Sequence, residues 1–167
     1  MDVRPVADDQ WDVVAWLWQA FRNDLAPHVD GFPYPDGRYN ASRLDDYPGP
    51  GRSGWLAWAP HPNTGEDAPI ALALVKGAGT SEQSLAEFWV VPALRGTGVA
   101  AAFAADVLGR FPAPWTVAFQ HANVRAGRFW RSAFTATFGA DGWVEAERLV
   151  PHRPDAPPDH WIETVDR

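Results

Sequence analysis

The sequence predicts a single α+β domain: a mixed, mostly antiparallel sheet of about six to seven strands flanked by helices. Three observations predict it. Apolar residues switch between period two and period 3.6 in the order β-α-β-β-β-α-β-α-β-β. "GWLAWA", "IALALVKG" and "LAEFWVV" are consecutive strand-like runs joined by polar segments, the pattern of an antiparallel meander. The 167 residues show no internal repeat and no linker, and one core suits that length.

Taken in order, "DVRPV" (2–6) reads as a first strand. Asp8 or Asp9 suits an N-cap, and Val14, Leu17, Trp18, Phe21 and Leu25 then recur at helical spacing until Pro27, where the helix is expected to end. Residues 28–52 hold four prolines, four glycines and all three tyrosines, with a short helix expected near 40–47. So long a connection in a small domain is a candidate functional segment. The meander strands follow at 54–59, 70–77 and 85–91. After Gly98 a helix places Val99, Phe103, Val107 and Phe111 on one face. "WTVAFQH" (115–121) is a strand and 123–138 a helix with Ala126, Phe129, Trp130, Ala133 and Phe134 inward. Residues 142–150 and 160–165 supply a closing pair of strands.

Composition narrows the function. The formal net charge is −7 and the only lysine is Lys76, so no polybasic patch can hold nucleic acid or an anionic membrane. No cysteine is present, which removes disulfides, thiolate metal sites and a cysteine nucleophile. The acidic N-terminus has no apolar signal-like region, and no apolar run approaches a membrane span. A cytoplasmic location is the expectation. His152, Asp155, Asp159 and His160 lie in a proline-rich stretch without ligand spacing, so no metal is expected.

One stretch carries chemistry. "AEFWVVPALRGTGVAAAF" is a strand, a glycine turn and a helix start. The first turn of a helix presents unpaired N–H groups at the positive end of its dipole. Glycines let backbone approach an anion. Gly96, Thr97, Gly98, Val99 and small Ala100 can therefore cradle a phosphate or pyrophosphate, with Arg95 as a fixed cation. The dipole contributes only about 0.3–1 kcal/mol, so amide hydrogen bonds and Arg95 must supply most of the binding. A Walker A loop is excluded because the lone lysine lies in a strand. "GTGVAA" departs from a dinucleotide fingerprint only at its last position, but it follows a fourth strand rather than a first.

The R-x-x-G-x-A spacing of "RGTGVA" after "VVP" resembles the GNAT superfamily of N-acetyltransferases, as does "NVRAGRFWRSAF" on the following helix. The element order matches that family over essentially the whole chain. "FPAPWTVAFQHANVRAGRFWR" is similar to a bacterial subgroup of uncharacterised predicted acetyltransferases. The resemblance implies a central GNAT-like sheet with two strands splayed around acetyl-CoA, the co-substrate. Val90 and Val91 would pair through their backbone with the pantetheine arm. Arg95 to Ala100 would hold the pyrophosphate, Asn123 would bond the pantetheine or cap the helix, and Trp130 would wall the channel. Glu87 stands where family members keep a general base, and its other reading is a solvated or Arg-paired strand residue. The family's usual acid is a tyrosine at the position of Trp130, so that role does not carry over; Tyr34, Tyr39, Tyr47 or water could replace it. His121 is a further acid–base candidate, with a structural role as the plainer reading; Arg125 and Arg128 are either phosphate contacts or a solvated helix face.

Direct transfer of an acetyl group to a primary amine follows, with a small molecule as the expected acceptor. The acceptor region would draw on Trp16, Trp18, Trp143, Trp161, Tyr34, Tyr39, Asp36, Asp45, Asp46 and Glu145, aromatic faces and carboxylates that suit an ammonium ion. Dimers are common in that family, which admits a homodimer. A non-catalytic acyl-CoA-binding module and a ligand-free structural domain stay open beside the enzyme.

Overall fold

Seven strands and three helices make up the computed structural model, which describes residues 1–29, 31–112, 114–150 and 155–165. The strands are β1 (Asp2–Pro5), β2 (Arg52–Pro60), β3 (Asp67–Lys76), β4 (Ser84–Val90), β5 (Thr116–Phe119), β6 (Trp143–Arg148) and β7 (Asp159–Thr164). The helices are α1 (Trp11–Val29), α2 (Val99–Gly109) and α3 (Val124–Phe138). One sheet runs β1-β2-β3-β4-β5-β7-β6, antiparallel at every junction except β4–β5. The expected fold class and the meander are therefore present.

Sequence explains which strand sits where. Residues 71–75 of β3, "ALALV", are all buried, because a central strand with helices on both faces needs apolar residues on both. β6 "WVEAER" instead alternates more and less exposed residues at the sheet edge. Helix α1 buries Val14, Trp18 and Phe21 against Leu56, Leu72, Leu74 and Trp89 on one face. Helices α2 and α3 cover the other, where Phe103, Val107, Trp130 and Phe134 pack with Ala73, Val75, Leu85, Val117 and Ile162.

Several boundaries differ from the sequence expectation, among them the end of α1 and the length of β5. Pro27 lies inside α1, which continues to Val29. The missing proline N–H removes one bond in the last turn, and Gly31 N–H closes the end onto the Ala26 carbonyl at 3.2 Å. Strand β5 is four residues rather than seven, because a turn closes where Asn123 N–H meets the Gln120 carbonyl at 2.9 Å. The helix expected near 40–47 is a 3-10 turn, Ser42–Asp46. No helix among the described residues is long and apolar enough to cross a membrane.

Candidate active site

Strands β4 and β5 run parallel and meet at one register pair, Ser84↔Thr116. Beyond that point β4 stays with β3, as far as Ala71↔Val90, and β5 follows β7, so the two separate. A cleft of ≈ 1190 Å³ opens along the split. Glu87, Phe88, Ala118, Gln120, Asn123 and Trp130 are among its walls.

The root of the split is pinned by Gln83, which sequence reading did not single out. It is 1% exposed. Its Nε2 donates to the carbonyls of Pro112 (3.0 Å) and Pro114 (3.1 Å), while its Oε1 accepts from Gly79 N–H at 2.8 Å. Its own carbonyl accepts from Thr116 N–H at 3.1 Å. Trp115, fully buried beside it, donates Nε1–H to Leu108 at 3.0 Å.

Higher on β4 the register slips. Leu74 opposes Glu87 and Val75 opposes Leu85, so Ala86 is a bulge without a partner on β3. The slip turns Leu85 toward α2 and α3 while Glu87 and Trp89 face α1. Glu87 is 9% exposed and lines the cleft. Arg43, from the long connection, donates Nη1–H to its Oε1 at 2.6 Å. Burial raises the Glu87 pKa above the ordinary carboxylate value, and the charges of Arg43, Arg22 and Lys76 oppose that rise without cancelling it. Glu87 is thus paired with an arginine, one of the alternatives read from the sequence, and it is buried in the cleft wall.

The glycine turn has the anticipated shape. Gly96 and Gly98 have φ of +79° and +92°, a region that disfavours any side chain, and a Cβ on either would meet nothing within 4 Å. Open space therefore lies over both. Gly98 caps α2, and the first-turn amides that follow it have no partner within the helix. Thr97 Oγ1–H donates to the Leu94 carbonyl at 2.7 Å and braces the turn.

Arg95 does not stand free over the turn. Its Nε–H donates to the Val90 carbonyl at 2.9 Å and its Nη2 bonds the Asp24 carboxylate on α1. Trp89 Nε1–H meets the same carboxylate at 2.7 Å. Partial burial works to raise the Asp24 pKa, but the Arg95 and Trp89 hydrogen bonds outweigh it and hold Asp24 below its usual value. Val91 N–H is bonded to the Ile70 carbonyl at 2.9 Å, and the Val91 carbonyl accepts from Leu94 at 3.0 Å. These three residues thus anchor the turn to the sheet, and the cleft wall on β4 is formed by residues 84–88 instead of Val90 and Val91.

Asn123 caps α3, its Oδ1 accepting from Ala126 N–H at 3.1 Å, and also lines the cleft. Trp130 is 5% exposed, edge-on to Phe88 at 5.0 Å, and forms a cleft wall. None of the three tyrosines is in the cleft lining. Arg125 and Arg128 are exposed on α3.

The aromatic and acidic residues expected around an ammonium are not assembled there. Of those ten only Trp161 lines the cleft; Trp16 is exposed, and Trp18 is buried with its Nε1–H on the Asn40 carbonyl at 2.8 Å. The wall near Glu87 carries Arg22, Arg43 and Lys76. Arg22 Nε is buried with no hydrogen-bond partner.

On the β5 side, His121 Nδ1 lies 2.9 Å from His160 Nε2, and His160 Nδ1 lies 2.7 Å from Glu145 Oε1. Arg131 clamps Glu145 through two 2.7 Å bonds, and these bonds first, then His160, keep Glu145 below the usual carboxylate range. His152 lies outside the described residues.

No protein-family model matches the sequence, and no curated protein matches it. Solved structures do. Arabidopsis thaliana NAA60 in complex with a bisubstrate analogue aligns at TM-score 0.62 and 15% identity over 99% of each chain. The GNAT domain of PAT from S. lividans aligns at 0.62 and 19% identity over 96% of this chain and 89% of that one. The ribosomal-protein-S18-alanine N-acetyltransferase of Escherichia coli aligns at 0.58 and 14% identity over 98% and 92%.

Proposed function

We propose that this chain, which has the fold of the GNAT acetyltransferases, transfers an acetyl group from acetyl-CoA to a primary amine of a small molecule, both bound together in the β4–β5 cleft. The observation that carries the reading is the split itself: a parallel strand pair held at one register position, whose β4 partner runs on into a glycine turn with free space at Gly96 and Gly98. An extended pantetheine arm fits such a gap. The amides of Val99 and Ala100, with Gly96 to Gly98, face the pyrophosphate, while Arg95 fixes the turn rather than touching the ligand.

The thioester supplies the acyl group. The bulge at Ala86 frees backbone to meet its carbonyl oxygen, where negative charge develops during attack. Holding both reactants in one cleft removes the entropy of encounter. Glu87 accepts the proton that the amine must lose, since burial gives it more basicity than an ordinary carboxylate. With no tyrosine lining the cleft, the sulfur leaves as a thiolate and takes its proton from water; a free thiol has a pKa of about 8.5, so this leaving group is tolerable near neutral pH. The excess of Arg22 and Lys76 over the Arg43–Glu87 pair favours an amine whose other end carries a carboxylate or phosphate.

The second reading, a non-catalytic acyl-CoA-binding module, is favoured by Trp130 standing where family members carry the acid. One experiment separates the readings. Acetyl-CoA is titrated by calorimetry into wild type and Gly98→Glu. Binding that vanishes in the variant supports the site, and CoA release from a panel of primary amines then supports catalysis. Binding with no turnover on any amine selects the binding module. Absence of binding to folded wild type overturns both.

A further inference from the structure

We infer that His121, His160 and Glu147 form a binding site for one divalent transition-metal ion of the zinc class, just past the end of β5, across β7 from β6. The three residues come from three elements. His160 lies opposite Phe119 of β5 and opposite Glu147 of β6, so all three share a level of the sheet. His121 lies two residues past Phe119, in the turn that ends β5, and its ring stacks on that of His160 at 5.1 Å. One ligand atom from each residue lies within 4.8 Å of the others. His160 Nε2 is 2.9 Å from His121 Nδ1 and 3.9 Å from Glu147 Oε1. Around a tetrahedral ion with bonds of about 2.0–2.1 Å, ligand atoms stand roughly 3.4 Å apart, so each His160 distance changes by about 0.5 Å and the His121–Glu147 pair, within 4.8 Å, closes by rotation of the exposed Glu147 side chain.

The support behind the ligands argues for an ion more strongly than the ligands alone. Arg131 is permanently charged and grips both oxygens of Glu145. Glu145 Oε1 stands 2.7 Å from His160 Nδ1, so the other ring nitrogen, Nε2, is the one turned toward His121 and Glu147. A carboxylate on the far nitrogen is the usual outer support of a metal-bound histidine. Gly127 makes the arrangement possible: a Cβ there would stand 3.0 Å from both Arg131 Nη1 and Phe119 Cε2. His160 stacks on Phe119 at 5.1 Å with rings 2° from parallel, which fixes its orientation. A plain hydrogen bond between the two histidines would leave Glu147 converging on them for no purpose. Two imidazoles and one carboxylate suit zinc and its late first-row neighbours, and the exposure of His121 and Glu147 leaves further positions to solvent. Such an ion would staple the splayed end of β5 to β6 and β7. The expectation of no metal rested on spacing along the chain, and these ligands have none.

The test uses the full chain without a tag, stripped with chelator, and is independent of acetyl transfer. Zinc is titrated by calorimetry and cobalt by its visible absorption. The expected result is one ion per chain, with affinity reduced at least tenfold in His160→Ala and Glu147→Gln and about 10–100-fold in Glu145→Gln. His61→Ala, in the turn between β2 and β3, should bind as wild type does. Glu147 is exposed, so Glu147→Gln retains the fold and keeps the test decisive. No saturable binding by wild type, or equal binding by Glu147→Gln and His160→Ala, overturns the site.

Discussion

Glu87 illustrates how one side chain can serve chemistry at a cost to stability. Folding raises its pKa above the unfolded value, so Glu87 takes up a proton more readily in the native state than in the unfolded chain. Its contribution is full below the unfolded pKa and is lost as pH rises through the raised value. Glu87→Gln stays uncharged throughout and escapes that loss. The variant should melt at a higher temperature than wild type at neutral pH, while kcat for CoA release falls about 10²-fold or more. Equal turnover would remove Glu87 from the mechanism, and a lower melting temperature would contradict the burial argument. Arg43 is 70% exposed at its side chain and still governs this group. Removing it takes away a charge that lowers the Glu87 pKa, so the acid limb of the kcat profile should move to higher pH in Arg43→Ala.

At the scale of elements, the β4–β5 junction depends on Gln83. Gln83→Met keeps the length of the side chain and deletes three hydrogen bonds, leaving the Pro112 and Pro114 carbonyls and Gly79 N–H to find water. The expected loss is about 2–4 kcal/mol in urea unfolding. A loss under about 1 kcal/mol would mean that water substitutes and the knot is not what sets the split. This junction also marks where sequence reasoning stopped. The strands, the glycine turn and the order of elements were legible because each is written in neighbouring residues: period-two runs, "RGTGVA", the Asn123 cap. The Gln83 bonds span 29 and 31 residues, and no local pattern announces them. Arg95 was legible as a cation at the turn but not in its direction, which Asp24 sets from 71 residues away. Pro27 misled because the local rule for proline assumes that helix bonds follow it, and here the helix was already ending.

Across the whole molecule, charge is unevenly placed. The chain carries −7 overall, yet Arg22, Arg43 and its one lysine gather near a single carboxylate on the α1 side of the cleft. Amines bearing an acid at their far end should therefore show a lower KM than the same amines without it. Added salt should raise KM for the first group and leave the second nearly unchanged, because screening weakens only the ionic contact. Matched pairs assayed at low and high ionic strength would read this directly, and equal KM values would remove the cationic wall from acceptor recognition. The split sheet has one more consequence. An ordinary open sheet has two borders, and each is a template on which a stray strand can grow. Here the parting of β4 from β5 creates two more, facing each other inside the fold. The narrow, flexible, amide-bearing molecule proposed for the cleft would lie between them in the place of a missing eighth strand.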